Sequence, residues 1–162
     1  MRPRHCIHVP TFILSVFVLY LPMAGAGQLN LDIEGVAISG YDPVSYHLKT
    51  GAQKGRENLL LTHNGSIYYF VSSDNRALFM KDPERYTPAF GGWCAWAMLD
   101  GETVEINPQT YKLVNNKTYL FYNSFFSNTL NKWDALAQET GEQNLSNQAE
   151  SAYKVLVKKA VD

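Results

Sequence analysis

The stretch "NLLLTHNGSIYYFVSSDNRALFM", Asn58 to Met80, decides the fold. Its first half predicts a hairpin, with one arm over Leu59–Thr62 and the other over Ile67–Val71. Between them Asn64-Gly65 supplies the positive φ values that a tight two-residue turn demands. His63 then stands beside the turn. The second half switches to helix. Ser72 and Ser73 both suit an N-cap, and Asp74 suits the first turn, beside the positive end of the helix dipole. "NRALFMKD" is helical in composition until Pro83 ends or offsets it. A hairpin followed at once by a helix predicts an α+β fold, a small antiparallel sheet of hairpins packed with short helices and followed by C-terminal helices.

The reading extends outward in both directions. Downstream, "PERYTPAFGG" gives one short turn of helix before a glycine break, and "WCAWAML" predicts a helix entering the core. "TVEINP" and "YKLVNNKTYLFYN" are strand-like, with Asn115-Asn116 turning a second hairpin between Tyr111–Val114 and Thr118–Tyr122. From Ser124 to Glu139, Phe125, Leu130, Trp133 and Leu136 mark one helix, which Gly141 stops. A more polar helix follows over Asn144–Lys159, with Ala152, Val155, Leu156 and Ala160 on one face. Upstream, Val44, Tyr46 and Leu48 alternate with polar residues, the pattern of a half-buried strand. That alternation puts His47 on the wetter face. The chain shows no internal sequence repeat, low-complexity tract or heptad series.

The first 26 residues predict a secretory signal peptide. Arg2 and Arg4 precede the apolar run "FILSVFVLYLPM", and Ala24-Gly25-Ala26 closes it with small residues. The run is short of the ~20 residues a spanning helix needs. Residues 27–34 are an irregular lead-in, 35–139 a single domain, and 140–162 a helical extension. Loss of Arg2 and Arg4 takes 14 basic residues to 12 against 15 acidic ones, a formal charge of −3. That balance excludes a nucleic-acid footprint and offers no basic patch for anionic lipid. The expected location is outside the cell or in a periplasm, with no stable membrane insertion once the leader is removed. "NGS" at Asn64, "NKT" at Asn116 and "NLS" at Asn144 fit the glycosylation pattern.

Cysteine usage singles out "FGGWCAWAMLDG", Phe90 to Gly101. Cys6 leaves with the leader, so Cys94 stays alone and no internal disulfide can form. Three readings of its thiol stand side by side. If "WCAWAML" is helical, Cys94 and Met98 share a face, and thiolate plus thioether is a soft pair suited to Cu(I), with His47 or His63 completing a site. Alternatively Cys94 is a small buried apolar residue between Trp93 and Trp96. A third reading is a reactive thiol, its pKa lowered at a helix start that Gly91 and Gly92 leave uncrowded. Asp42, in "GYDPV" beside Tyr41, can shape the turn through backbone N–H groups or act as a ligand or acid. Phosphate loops, dinucleotide fingerprints, serine elbows and zinc-protease helices are missing.

At "YYFVSSDNRALFMKDPERY" the chain resembles the YHS domain, in its longer exported form. "GVAISGYDPVSYH", "FGGWCAWAM" and "YKLVNNKTYLFYN", followed by a helix carrying Trp133, extend the resemblance over residues 35–135. Short YHS modules accompany copper-transporting ATPases and other heavy-metal proteins, which implies metal binding or sensing. Their two motif cysteines correspond to Val71 and Asn75, and neither replaces a thiolate for a soft ion. The long form instead centres on Gly91-Gly92-Trp93-Cys94-Ala95-Trp96. The expectation is an exported, non-catalytic binding domain that takes a soft metal, copper first, through Cys94 with Met98 and His47. The alternatives are a metal-free structural or interaction module with a buried Cys94, and a thiol-dependent enzyme.

Overall fold

The computed structural model describes residues 29–160 and shows an α+β fold. Strands β1 (Arg56–His63) and β2 (Ser66–Phe70) form one antiparallel hairpin, and β3 (Asn107–Val114) and β4 (Lys117–Phe121) form another. The hairpins make two separate two-stranded sheets rather than one. Among the described residues, five α-helices surround them: α1 (Ser73–Lys81), α2 (Pro83–Tyr86), α3 (Ala95–Met98), α4 (Thr129–Thr140) and α5 (Glu142–Lys159). Expected turn chemistry holds locally. Asn64 and Gly65 have φ of 47° and 80°, and Asn115 and Asn116 have 49° and 62°. Ser72 caps α1 by accepting from Asn75 N–H, and Asp82 caps α2 by accepting from Arg85 N–H. Gly141, at φ 92°, separates α4 from α5.

Four local expectations are corrected. Val44–Leu48 is not a strand, because Asp42 folds the segment into a 3-10 turn over Ser45–His47. "WCAWAML" gives only one helical turn, with Cys94 as its N-cap rather than inside it. "TVEINP" is largely outside the ladder, which begins at Asn107. The helix expected from Ser124 starts at Thr129, where Asn128 accepts from Leu130 N–H, so Phe125 lies in the preceding loop. In α5, Leu145, Ser146 and Ala149 are buried and Leu156 of the expected face packs on the second core beside Tyr153, while Val155 and Ala160 are exposed. The leader predicted over residues 1–26 lies outside the described residues.

The chain also repeats itself, in geometry far more than in sequence. Each unit opens with a left-handed turn. Ile38, Ser39 and Gly40 have φ of 55°, 49° and 74°, and Phe90, Gly91 and Gly92 have 55°, 61° and 86°. Each turn buries its leading apolar side chain and closes alike, Tyr41 N–H donating to Ile38 O (3.0 Å) and Trp93 N–H to Phe90 O (3.1 Å). The next residue is tied to the approach of a hairpin, Asp42 N–H to Gln53 O (2.8 Å) and Cys94 N–H to Val104 O (3.0 Å). A single helical turn follows, then a hairpin of matching register. Arg56 pairs with Phe70, a bulge intervenes, and pairing resumes from Leu60–Tyr69 to His63–Ser66. Asn107 pairs with Phe121, a bulge intervenes, and pairing resumes from Tyr111–Leu120 to Val114–Lys117.

Each unit ends in a helix that lays one aromatic ring on two others. Phe79 packs on Tyr68 and Phe70 with centroids 4.9 and 5.4 Å apart. Trp133 packs on Tyr119 and Phe121, both at 5.7 Å. Two cores result. The first gathers Ile38, Val44, Tyr46, Tyr68, Phe70 and Phe79. The second gathers Phe90, Met98, Tyr119, Phe121 and Trp133. The extension is not an appendage, since α5 adds Leu145 and Ala149 to the second core. Strand β4 joins the cores. Its alternating side chains send Tyr119 and Phe121 to the second core and Leu120 to the first.

Candidate functional site

The repeat explains the candidate residues. Asp42 is fully buried beside its hairpin. Its Oδ1 accepts from Val44 N–H at 2.8 Å. Its Oδ2 accepts from Val71 N–H at 2.9 Å and from Asn75 Nδ2 at 2.7 Å. One carboxylate thus ties the turn, the end of β2 and the start of α1. Val71 and Asn75, four positions apart, are thus both partners of the same carboxylate.

Cys94 holds the matching place in the second unit. It is 0% exposed. Its Sγ accepts from Tyr122 N–H at 3.3 Å and meets Thr129 Oγ1 at 3.4 Å. The Thr129 hydroxyl donates to Tyr122 O at 2.8 Å, so the thiol supplies the proton of the Cys94–Thr129 contact. A thiol therefore clamps the end of β4 to the start of α4, as the Asp42 carboxylate clamps β2 to α1. The sequence draws attention to Asn75 only through the family resemblance, and to Thr129 not at all. Matching Tyr68-x-Phe70 to Tyr119-x-Phe121 is the signal that would have paired them.

The remaining candidates are placed around these clamps. Met98 is fully buried in the second core. His47 Nε2 meets Thr118 Oγ1 at 3.2 Å, and its ring lies edge-on to Tyr86 at 5.1 Å. The wetter face expected for it is replaced by half-burial. Burial first, then the Arg85 charge, hold its pKa below the ordinary histidine value against the opposing Asn116 side chain. Gly91 and Gly92 present their carbonyls to the lead-in, taking Asn30 N–H at 2.8 Å and Asn30 Nδ2 at 3.2 Å. Trp93 and Trp96 are half-buried against the second core. Tyr41 carries the Lys54 ammonium over its ring at 5.5 Å. His63 stands edge-on to Phe79 at 5.7 Å.

Of the three expected copper donors, His47 is not brought to Cys94. His47 reaches β4 at Thr118 and Cys94 reaches its end at Tyr122. Four residues of strand separate those points by ~13 Å. Among the described residues, no group of three or more His, Cys, Asp or Glu side chains is placed to hold a metal ion. With His47 held apart, Cys94, Met98 and His47 do not form one three-donor centre. Among the described residues, the thiol is closed to solvent and no histidine hydrogen-bonds to it, whereas a nucleophile is activated by an adjacent base.

An apolar cleft of about 350 Å³ opens elsewhere, between the Thr87–Gly91 segment, β4 and α5. Phe90 and Tyr119 contribute to its wall, and Glu84, Lys117, Glu150 and Lys154 contribute two charges of each sign. Among the described residues, no helix is long and apolar enough to cross a membrane. No protein-family model, no curated protein and no solved structure matches the chain.

Proposed function

We propose that the chain is an exported, metal-free interaction module of the YHS type, in which Cys94 is a structural clamp rather than a ligand or nucleophile. The observation that carries this reading is the hydrogen-bonding of the thiol. Its proton goes to Thr129, its lone pair receives Tyr122 N–H, and its surface is closed to water. The Asp42 carboxylate does the same work in the other unit, where no soft-metal chemistry is available to it. Export rests on Arg2, Arg4, the apolar run and Ala24-Gly25-Ala26.

Thiol labelling and metal titration test the reading together. The native protein should resist a thiol reagent at neutral pH and react fully once unfolded in urea. Cu(I) titration under reducing conditions should give the same weak binding for the native sequence and for Cys94→Ala. Stoichiometric copper lost in Cys94→Ala would overturn the reading and restore the copper site. Rapid native labelling would restore the reactive thiol. Mass analysis of the exported protein should find a chain that begins at Gly27.

A further inference from the structure

The two units differ at one informative place. Val71 and Asn75, the partners of Asp42, are four positions apart, whereas Tyr122 and Thr129, the partners of Cys94, are seven apart. The first unit shows that strand and helix can be clamped without the three extra residues. Those residues build a small closed loop. Ser124 and Ser127 exchange backbone hydrogen bonds at 2.9 and 3.4 Å, and Asn123 bridges to Asn128. The stem is fixed at both ends, by Asn123 Nδ2 to Thr110 Oγ1 at 3.0 Å and by the Asn128 cap of α4. At the tip, Phe125 and Phe126 are 95% and 92% exposed. Their rings pack edge-on to one another at 5.0 Å.

Folding gains nothing from two phenyl rings held in water, and an exposed apolar patch of this kind marks an interaction surface. Shape and charge indicate its occupant. The rings form a convex knob of about 400 Å². That is about half of the ~800 Å² each partner contributes to a standard protein interface. A bilayer interface needs no matching pocket, and amphipathic elements bury such rings at the headgroup boundary. The residues directly flanking the rings, Ser124 and Ser127, carry uncharged hydroxyls suited to that boundary. No Asp or Glu lies between Glu105 and Asp134, although the chain holds 15 acidic residues; of the three lysines in that interval, Lys112 is neutralised by Asp134 and Glu142, which leaves Lys117 and Lys132. The hairpin that presents the knob brings no acidic residue of its own against a neutral or anionic lipid surface.

We propose that the Phe125–Phe126 loop is a peripheral anchor that seats this domain on the surface of a lipid bilayer. Binding is apolar, weak and reversible, with one exposed cation, Lys132, close in sequence to the loop. Its test is co-sedimentation with phosphatidylcholine vesicles, with and without phosphatidylserine, of the mature protein and of the Phe125→Ser/Phe126→Ser variant. The native sequence should sediment with both vesicle types at millimolar lipid, and the double variant should lose about a hundredfold in partitioning. The variant's melting temperature should stay unchanged, since the first unit folds without this loop. A Phe125→Trp variant should show blue-shifted emission on adding vesicles. Equal partitioning of both proteins, or no blue shift, overturns the proposal. So does concentration-dependent self-association that the double variant abolishes, which would assign the knob to a second copy of the chain. Labelling of Cys94 does not enter this test, so its outcome is separate from that of the metal-free reading.

Discussion

Removing the Asp42 carboxylate is the sharpest perturbation of the repeated clamp. Three donors converge on it in a fully buried site, at 2.8, 2.9 and 2.7 Å. In Asp42→Ala the Val44 and Val71 N–H groups and the Asn75 amide all lose their acceptor. Each buried donor left unsatisfied costs about 1–3 kcal/mol. With partial relaxation the total should be about 4 kcal/mol, a large share of the ~5–15 kcal/mol that holds a domain together. The melting temperature should fall by ~8–16 °C. Asp42→Asn keeps the shape but offers only one acceptor oxygen, and its amide N–H₂ then faces another donor, so about 2 kcal/mol is expected. Cys94→Ser, at the matching place, keeps a donor and an acceptor and should cost only about 1 kcal/mol. Urea unfolding followed by tryptophan fluorescence reads all three, provided the slope with denaturant is unchanged. If Asp42→Ala cost less than ~1 kcal/mol, or if Cys94→Ser cost more than Asp42→Ala, the clamp argument would fail.

Other expectations rest on separate features. A Cβ at Gly55 would sit 2.5 Å from the Tyr69 carbonyl carbon, so Gly55→Ala should cost at least ~2 kcal/mol in the same unfolding assay, and a neutral result would show that the strand can shift there. Phe79→Ala and Trp133→Ala should each cost about 3–5 kcal/mol, because each removes the ring on which its unit's core is built. His47 has a folded pKa below its unfolded value, so the unfolded chain binds more protons as pH falls. Its contribution to stability is complete above the ordinary histidine pKa and is lost progressively below it. Unfolding free energies measured from pH 7 to pH 5 should decline, and His47→Gln should flatten that decline; an unaltered slope would remove His47 as its source.

Short-range chemistry was legible in the sequence. Both hairpins were readable from Asn64-Gly65 and Asn115-Asn116, because only a few residue types accept the backbone angles of a two-residue turn. The Ser72 cap and the Gly141 stop were readable for the same kind of reason. Val44–Leu48 misled, because its alternation satisfied the period of a strand while the buried Asp42 carboxylate fixed a turn instead. Phe125 misled similarly, since helical spacing from Leu130 and Trp133 included a residue that lies beyond the Asn128 cap. The repeat was invisible because identity survives at few positions, among them Ala37 and Ala89, Gly40 and Gly92, Tyr68 and Tyr119, Phe70 and Phe121. What the units share is backbone handedness and ring placement, which different residues can deliver. Cys94 draws attention in the sequence as the lone thiol among the described residues, but its surroundings are set by Tyr122 and Thr129, 28 and 35 residues away.

Strand β4 has a consequence for how the protein comes apart. Odd residues of this strand root one core and even residues the other, so neither half can melt while its neighbour stays intact. Heating should therefore produce a single calorimetric peak rather than two. The amides of Thr118 to Phe121 should be the last in the molecule to surrender their hydrogens to heavy water.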